Sequence, residues 1–373
     1  MEKMAAQRFL IYAPNGFGLG HIVRQLALAR QIRKRDPRAE LLFLTDCEAS
    51  HLIWREGFAS VKLIAFHTVE RGLIAKDSAQ ALNRAMVASA FAAYRPDAFL
   101  VDAMPHGRSG ELRGVLPNDA PSVLICREKA PEARENPRFQ EALRHYDLIV
   151  LPHREGEIAF AAPEDVQVVA PGPFLIRSRA EAMARDEARQ RLGLPDEGFI
   201  VFVAFGSGGD RRYRRFLDVV FAYAARFPDW TLAVLRPPYY DGDLPAGHGN
   251  RVVQFSYFPL AEAWRAFDAA ITAMGNNTTT ELLHNGVPSI FLPLPGTEDD
   301  HLARAARIRD ADAGINLETD SKDRVLPAFE ALADPATRRR IAANAARLVP
   351  DNGAERAAAM LLDWLETRGR GES

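Results

Sequence analysis

The stretch RFLIYAPNGFGLGHIVRQLALARQIRKR, residues 8–35, decides the fold. Its first part, 8–14, is a short and mostly apolar run that predicts a buried strand. The run breaks at NGFGLG, and the residues that follow place Ile22, Leu26 and Ala29 at helical spacing. A strand that enters a helix through a glycine-rich turn is typical of doubly wound α/β domains.

The same alternation continues outward from this stretch. An alanine-rich helix is predicted at 76–95, and further apolar runs predict strands at 40–46, 61–66, 97–102, 122–126, 147–152 and 166–173. Strands that alternate with helices predict a parallel sheet covered by helices on both faces.

A second cycle follows a break at 171–195, where prolines flank a highly charged segment. It restarts at FIVFVAFGSGG, 199–209, and predicts strands at 231–237, 251–256, 269–274 and 289–294, with helices at 260–267, 278–286, 300–310 and 322–347. We therefore predict two similar domains, at 1–172 and 199–350, joined by a linker and entry helix at 173–198 and followed by a final helix at 351–373.

Composition excludes several classes of function. The 373 residues include 47 basic and 49 acidic side chains, a net charge of −2, which gives no general attraction to nucleic acid. Any phosphate site must therefore be local. Cys47 and Cys126 lie in apolar segments and are predicted to be buried reduced thiols. The N-terminal segment lacks a signal-peptide core, and no apolar run reaches about 18 residues, so we expect a cytoplasmic protein.

The first glycine loop, GFGLGH, carries a histidine where a dinucleotide fingerprint would have its third glycine. His21 therefore stands at the mouth of the turn, near the edge of the sheet where ligands bind, and an imidazole there can act as a general base. The alternative is a helix-start histidine bonded to a neighbouring loop.

The second glycine loop follows the strongest predicted strand. Its backbone amides, with one hydroxyl among them, suit a diphosphate, and they belong to Gly206, Ser207, Gly208 and Gly209. The loop is not a Walker A motif, because no Gly-Lys-Ser/Thr follows it.

The third motif runs from Asp268 to His301. Asn277 or Thr278 is predicted to cap a helix that carries Glu281 in its first turn, and such capping could by itself explain Glu281. A polar cluster follows the next strand, where open sheets bind substrate hydroxyls, and it comprises Glu298, Asp299, Asp300 and His301.

Three motifs follow one another in this order along the chain: GFGLGHxxRxLALA, FGSGG and T-x-x-E-x-x-x-x-G-x-P. With these motifs the chain resembles the GT-B glycosyltransferases, and most closely the family 28 group that contains MurG. The resemblance spans nearly the whole chain. It implies two Rossmann-like domains that face each other across a cleft, with the acceptor in the first, a UDP-sugar in the second and the final helix packing back across them.

The resemblance also implies roles for individual residues of the second half. Glu281 matches the ribose ligand, and Ser256 and Tyr257 fall where backbone groups recognise the base. Gly206, Ser207, Gly208, Gly209, Thr278 and Thr279 match the diphosphate contacts. Asp300 and His301 stand where relatives carry Gln-Gln or Asp-Gln for the donor sugar, so this departure leaves the sugar open.

The implied reaction is an inverting transfer with His21 as base and Asp102, at the end of a predicted strand, orienting it. His106 is a second candidate base, and the acceptor side would include Gly18, Gly20, Arg24 and Arg127. No metal or other cofactor is expected. A literal Asp-x-Asp at 241–243 lies in a turn-rich loop, where Asp-Gly is a turn signal.

Two other functions stay open. GLGHIVRQLALA also resembles PseG, a GT-B-fold hydrolase of a UDP-linked sugar in which water replaces the acceptor. A non-catalytic or epimerase-like binder of nucleotide sugars is the third possibility. The expected partners are a nucleotide sugar and a small-molecule or glycan acceptor, and the Ala- and Met-rich helix around 81–93 is either core or a weak membrane contact.

Overall fold

The apolar runs form two parallel sheets in the computed structural model, which describes residues 6–15, 18–115, 120–206, 213–236, 248–293, 298–317 and 322–369. Two compact units divide the chain. The first unit is formed by 1–176 together with 352–373, and the second unit by 177–351.

The sheet of the first unit has seven parallel strands. They are β1 (Arg8–Tyr12), β2 (Glu40–Thr45), β3 (Ala59–Lys62), β4 (Ala98–Asp102), β5 (Ser122–Ile125), β6 (Leu148–Val150) and β7 (Gln167–Val169). Their order is β3-β2-β1-β4-β5-β6-β7, so the direction of winding reverses between β1 and β4. Such a reversal opens a crevice at the carboxyl ends of the two strands.

Helices cover this sheet: α1 (Gly20–Arg35), α2 (His51–Arg55), α3 (Phe66–Glu70), α4 (Lys76–Tyr94), α5 (Pro131–Arg134) and α6 (Pro137–Leu143). The central strands are mostly apolar and almost entirely buried, as expected of strands covered on both faces. Leu10, Phe99 and Leu124 from neighbouring strands pack in one core cluster.

The sheet of the second unit repeats the plan with six strands: β8 (Phe199–Ala204), β9 (Trp230–Leu235), β10 (Arg251–Phe255), β11 (Ala269–Ala273), β12 (Ser289–Leu292) and β13 (Ile315–Asn316). Their order is β10-β9-β8-β11-β12-β13, again parallel, and the reversal lies between β8 and β11. The helices are α7 (Arg185–Leu192), α8 (Tyr213–Ala224), α9 (Asn276–Asn285), α10 (His301–Asp310), α11 (Lys322–Ala333) and α12 (Pro335–Leu348). The predicted pair of Rossmann-like α/β domains is confirmed.

Two predictions about the elements were wrong, and one strand was missed. The segment 322–347 is two helices, because Asp334 accepts a hydrogen bond from the Thr337 amide at 2.8 Å and Pro335 begins α12. The predicted helix at 260–267 is two short 3-10 turns, Leu260–Glu262 and Trp264–Ala266. The strand β13 was missed, since two residues give no periodicity.

The final helix, α13 (Gly353–Gly369), packs against α1 within the first unit. The amide of Gly353 donates to the carbonyl of Pro173 at 2.7 Å, and the side chain of Asn352 exchanges two hydrogen bonds with the backbone of Leu175. A Cβ atom at Gly353 would overlap the Gly172 carbonyl, so this close approach requires glycine.

Candidate functional site

His21 lies at the carboxyl edge of the first sheet, as the second residue of α1. Its Nδ1 atom is 2.7 Å from Oδ1 of Asp102, the last residue of β4. The two side chains meet because β1, which leads into α1, pairs directly with β4. The His21 side chain is 14% exposed, whereas Asp102 is fully buried, so the imidazole alone reaches solvent.

Four donors surround the Asp102 carboxylate. Oδ1 accepts from His21 Nδ1 and from Arg24 Nη2 at 2.5 Å, and Oδ2 accepts from Arg24 Nε and Gln25 Nε2, each at 2.9 Å. Arg24 and Gln25 are both buried. A carboxylate has about four lone-pair sites, so every acceptor position of Asp102 is occupied.

Burial and the neighbouring charges together set the protonation of this pair. Although burial opposes ionisation, the Arg24 charge and the His21 hydrogen bond hold the pKa of Asp102 well below its usual range. Burial, assisted by the charges of Arg24 and Arg127, lowers the pKa of His21 to about 4 despite Asp102. At neutral pH the carboxylate is therefore ionised and the imidazole is neutral, with the proton on Nδ1 and the Nε2 lone pair available.

Asn15 holds the start of α1 and was missed by the sequence analysis. The side-chain Oδ1 of Asn15 accepts a hydrogen bond from the backbone amide of His21 at 3.2 Å. The backbone amide of Asn15 donates to Asp46 Oδ1 at 2.5 Å. Asn15 is buried, and burial raises the pKa of Asp46. This asparagine therefore links the ends of β1 and β2 to the first turn of the helix that carries His21.

Four other residues of the first unit were predicted to belong to the site: Gly18, Gly20, Arg127 and His106. Gly18 has a φ of +99°, which favours glycine, and Gly20 begins α1. Arg127 follows β5 and is close enough to His21 to affect its pKa. The His106 ring lies 6.1 Å from that of His145, and burial lowers its pKa. Its described contacts do not include Asp102, in contrast to those of His21.

Glu281 is the buried carboxyl group among the described residues of the second unit. Its Oε2 accepts a hydrogen bond from Trp264 Nε1 at 3.0 Å. Burial raises the pKa of Glu281 to about 7, against the opposing effects of Trp264 and the Arg177 charge. Glu281 lies in the middle of α9 rather than in its first turn, so helix capping does not account for it.

The start of α9 differs from the prediction. The helix begins at Asn276 after Gly275, so neither Asn277 nor Thr278 is its cap. Thr278 is half-buried, and Thr279 is buried with no hydrogen-bond partner for its hydroxyl among the described residues. The helix N-terminus therefore stands directly after β11.

Gly206, the first residue of the second glycine loop, follows β8, and β8 is paired with β11, the strand that precedes this helix start. Gly206 has a φ of +76°, in the left-handed region that favours glycine. Ser207, Gly208 and Gly209 lie outside the described residues, as does the Asp-x-Asp segment at 241–243. The described residues hold no group of three or more His, Cys, Asp or Glu side chains fit for a metal ion.

Ser256 and Tyr257 follow β10, at the same edge of the second sheet. Ser256 is exposed. The Tyr257 hydroxyl donates to Glu262 Oε2 at 2.9 Å, and Arg177 Nε donates to the other oxygen of that carboxylate at 2.7 Å. Burial and the Glu262 carboxylate raise the pKa of Tyr257.

Asp300 and His301 begin α10. Asp300 caps the helix, since its Oδ1 accepts from the Ala303 amide at 2.9 Å, and His301 is buried. Arg304, which the sequence analysis missed, donates from Nη1 to the carbonyl of Met274 at 2.6 Å. The buried Arg304 side chain thereby ties α10 to the carboxyl end of β11.

Comparison with known proteins places these features in a family context. Residues 240–356 match the glycosyltransferase family 28 C-terminal domain. The chain is 25% identical over 303 residues to a UDP-N-acetylglucosamine--N-acetylmuramyl-(pentapeptide) pyrophosphoryl-undecaprenol N-acetylglucosamine transferase of Symbiobacterium thermophilum, covering 77% of each chain. It is also 25% identical over 370 residues to the protein of the same name from Acetivibrio thermocellus, covering 94% of this chain and 97% of that one.

A solved structure supports the fold. The crystal structure of Acinetobacter baumannii MurG matches with a TM-score of 0.58 at 15% identity, over 96% of this chain and 99% of that one. The predicted resemblance to the family 28 group is therefore confirmed, and with it the prediction of a glycosyltransferase-type enzyme. None of the helices in the described parts combines the length and apolarity that a membrane span requires.

Proposed function

We propose that this protein is an inverting glycosyltransferase that moves a sugar from a UDP-sugar to a hydroxyl or other nucleophile of a small-molecule or sugar acceptor. The observation that carries the proposal is the His21–Asp102 pair, whose Nδ1 and Oδ1 atoms are 2.7 Å apart. The pair lies at the carboxyl edge of the first sheet, where the direction of winding reverses between β1 and β4. Similarity to named N-acetylglucosamine transferases supports the donor class, and UDP-N-acetylglucosamine is the first donor to test.

His21 is the proposed general base. With Nδ1–H held by Asp102, Nε2 takes the proton of the acceptor hydroxyl as the hydroxyl oxygen bonds to the anomeric carbon. The bond from that carbon to the diphosphate oxygen breaks, and UDP leaves with the electron pair. A single displacement inverts the anomeric configuration. The carboxylate of Asp102 then stabilises the imidazolium, as orienting carboxylates do in other catalytic pairs.

The second unit is the proposed donor site. Glu281 is proposed to bind the ribose hydroxyls, and Ser256 and Tyr257 to lie beside the base. Gly206 and the N-terminal turn of α9 at Thr278 supply amides beside the proposed diphosphate position, where they would stabilise the departing charge without a metal ion. Asp300 and His301 are proposed to face the donor sugar.

A panel of UDP-sugars, incubated with and without acceptors, tests the proposal. UDP release should depend on acceptor, and the panel should include a lipid-linked sugar because the named relatives act on one. His21→Ala should lower turnover by about 10² to 10⁴-fold and leave UDP affinity nearly unchanged. Rapid release of free sugar without acceptor would instead establish a hydrolase, and full activity of the variant would remove His21 as base.

We also propose that the reaction takes place in the cytoplasm, where the buried free thiols of Cys47 and Cys126 would stay reduced. Weak peripheral membrane contact is part of the proposal, because Leu73 and Leu82, before and on α4, are 74% and 49% exposed. Sedimentation with anionic vesicles tests this contact, and Leu73→Ser with Leu82→Ser should abolish it. Equal sedimentation of the variant would exclude these side chains.

A further inference from the structure

Arg24 lies one helical turn after His21 and is only 2% exposed. His21, Arg24 and Gln25 stand at positions i, i+3 and i+4 of α1, so they share one face of the helix. All three side chains point to Asp102. A buried arginine directed at a carboxylate of its own unit is not placed to bind an acceptor, which is the role that the resemblance implied for it.

The geometry of this contact is specific to arginine. Nε and Nη2 of one guanidinium donate to both oxygens of Asp102, at 2.9 and 2.5 Å. A planar two-pronged donor fixes the plane of the carboxylate, which a lysine ammonium cannot do. Because Gln25 occupies the remaining site on Oδ2, the carboxylate has one orientation, with Oδ1 directed at His21.

We propose that Arg24 is a positioning residue for the base: it locks Asp102 in the orientation that fixes the His21 tautomer, and it offsets the Asp102 charge so that His21 stays neutral. This inference rests on the proposed role of His21 in transfer. It gives the arginine of GHIVR, residues 20–24, a function inside the catalytic pair rather than in substrate contact.

Charged groups face the imidazole from three elements. Asp102 comes from β4, Arg24 comes from α1 with Nη2 at 3.2 Å from Nδ1, and Arg127 comes from the segment after β5. Asp102 favours the imidazolium, and both arginines oppose it. Removal of the Arg24 charge leaves only burial and the more weakly acting Arg127 to oppose Asp102, so the pKa of His21 should rise above its present value of about 4.

Nuclear magnetic resonance of the imidazole nitrogens in ¹⁵N-histidine-labelled full-length protein measures this directly, with the His21 signals assigned by a His21→Gln variant. The wild type should show the Nδ1–H tautomer. Arg24→Gln should raise the pKa of His21 by about 1 to 3 pH units, the usual effect of exposing a histidine to a nearby opposite charge. Arg24→Lys keeps the charge and should give a smaller rise.

A matched control is Arg30→Gln on the same helix, because Arg30 pairs with Glu56 at 2.9 Å and not with Asp102. This control should leave the His21 titration unchanged. A pKa in Arg24→Gln within about 0.3 of the wild-type value, with the same tautomer, would overturn the proposal; a value of 0.3 is a small fraction of the expected effect.

Arg24→Gln leaves a buried anion and could fail to fold, which circular dichroism detects. Asp102→Asn and the double variant Arg24→Gln/Asp102→Asn then carry the test. The pKa of His21 should be higher in the double variant, because only the single variant retains the arginine charge, and equal values would overturn the proposal. These titrations need no substrate. If they succeed while no UDP-sugar is turned over, the proposed function fails and the electrostatic role of Arg24 stands.

Discussion

Replacement of Glu281 by glutamine should stabilise the second unit at pH 8 and change it little at pH 4.5. Burial raises the pKa of Glu281 from 4.5 to about 7. Between these pH values the folded protein holds a proton that the unfolded chain releases, so the free energy of unfolding falls as pH rises. Glutamine is uncharged at every pH, and its amide oxygen can still accept from Trp264 Nε1.

The expected size follows from the two pKa values. Below pH 4.5 the carboxyl group is neutral in both states, and its contribution to stability is fully present. That contribution is lost as pH rises through the folded pKa of about 7. Each pH unit between the two values is worth about 1.4 kcal/mol, so the wild type should lose about 3 kcal/mol that Glu281→Gln retains.

Urea unfolding of both proteins at pH 4.5 and pH 8 measures the difference, and every other titrating group cancels between them. A chain of two units does not unfold in one step, so the probe must report on the second unit. Replacing Trp54 and Trp364 by phenylalanine leaves Trp230 and Trp264, both in that unit, as the fluorescent reporters. An equal stability difference at the two pH values would refute the reasoning.

The same variant separates a ligand-binding carboxylate from a structural one. A residue kept for binding at the expense of stability should give opposite effects in the two assays. We expect Glu281→Gln to weaken UDP binding by about tenfold or more, the scale of losing a hydrogen bond to a charged group. Higher stability at pH 8 with unchanged UDP affinity would remove Glu281 from the ribose site.

Four further outcomes are expected. Asp102→Asn should lower turnover by about 10² to 10⁴-fold, because His21 would no longer be held in its Nδ1–H tautomer. Near-normal activity in steady-state kinetics would contradict this. Turnover of the wild type should fall as pH drops through about 4, where the His21 imidazole gains its proton, and an acid limb near pH 6.5 would show that burial does not control this pKa. Asn15→Ala should lower turnover by about tenfold or more through a displaced helix start, with Asn344→Ala on α12 as the control that keeps full activity. Activity should persist in EDTA, and its loss, restored by a divalent ion, would establish a metal requirement.

The sequence predicted the His21–Asp102 pair, which is proposed to be catalytic, because each member lies at or just after the end of a recognisable strand. His21 follows a strand and glycine turn, and Asp102 closes an apolar strand, so both had to reach the carboxyl edge of one sheet. The side chains that donate to Asp102 could also have been predicted from the sequence. His21, Arg24 and Gln25 follow the i, i+3, i+4 rule for one helix face, and a buried arginine on such a face needs a carboxylate.

Other contacts depend on packing that no local pattern encodes. The bond from Trp264 to Glu281 joins a 3-10 turn to the middle of α9, and the sequence suggested a regular helix at that turn. Asn15 was missed because a single polar residue after a strand has no periodicity. The cap of α9 was misplaced because Asn277 and Thr278 are favoured cap residues, whereas the chain enters the helix at Gly275.

Asp102 in the first unit and Glu281 in the second are buried carboxyl groups whose surroundings shift their pKa values in opposite directions. Asp102 accepts hydrogen bonds from a guanidinium, an amide and an imidazole, so its carboxylate stays ionised at neutral pH and can orient a neighbouring base. Glu281 accepts a hydrogen bond from the indole N–H of Trp264, and with a pKa of about 7 it is about half protonated at neutral pH. Carboxyl groups whose surroundings drive their pKa values apart serve different roles. Asp102 is therefore equipped to act through His21, whereas Glu281 can change its protonation state near neutral pH.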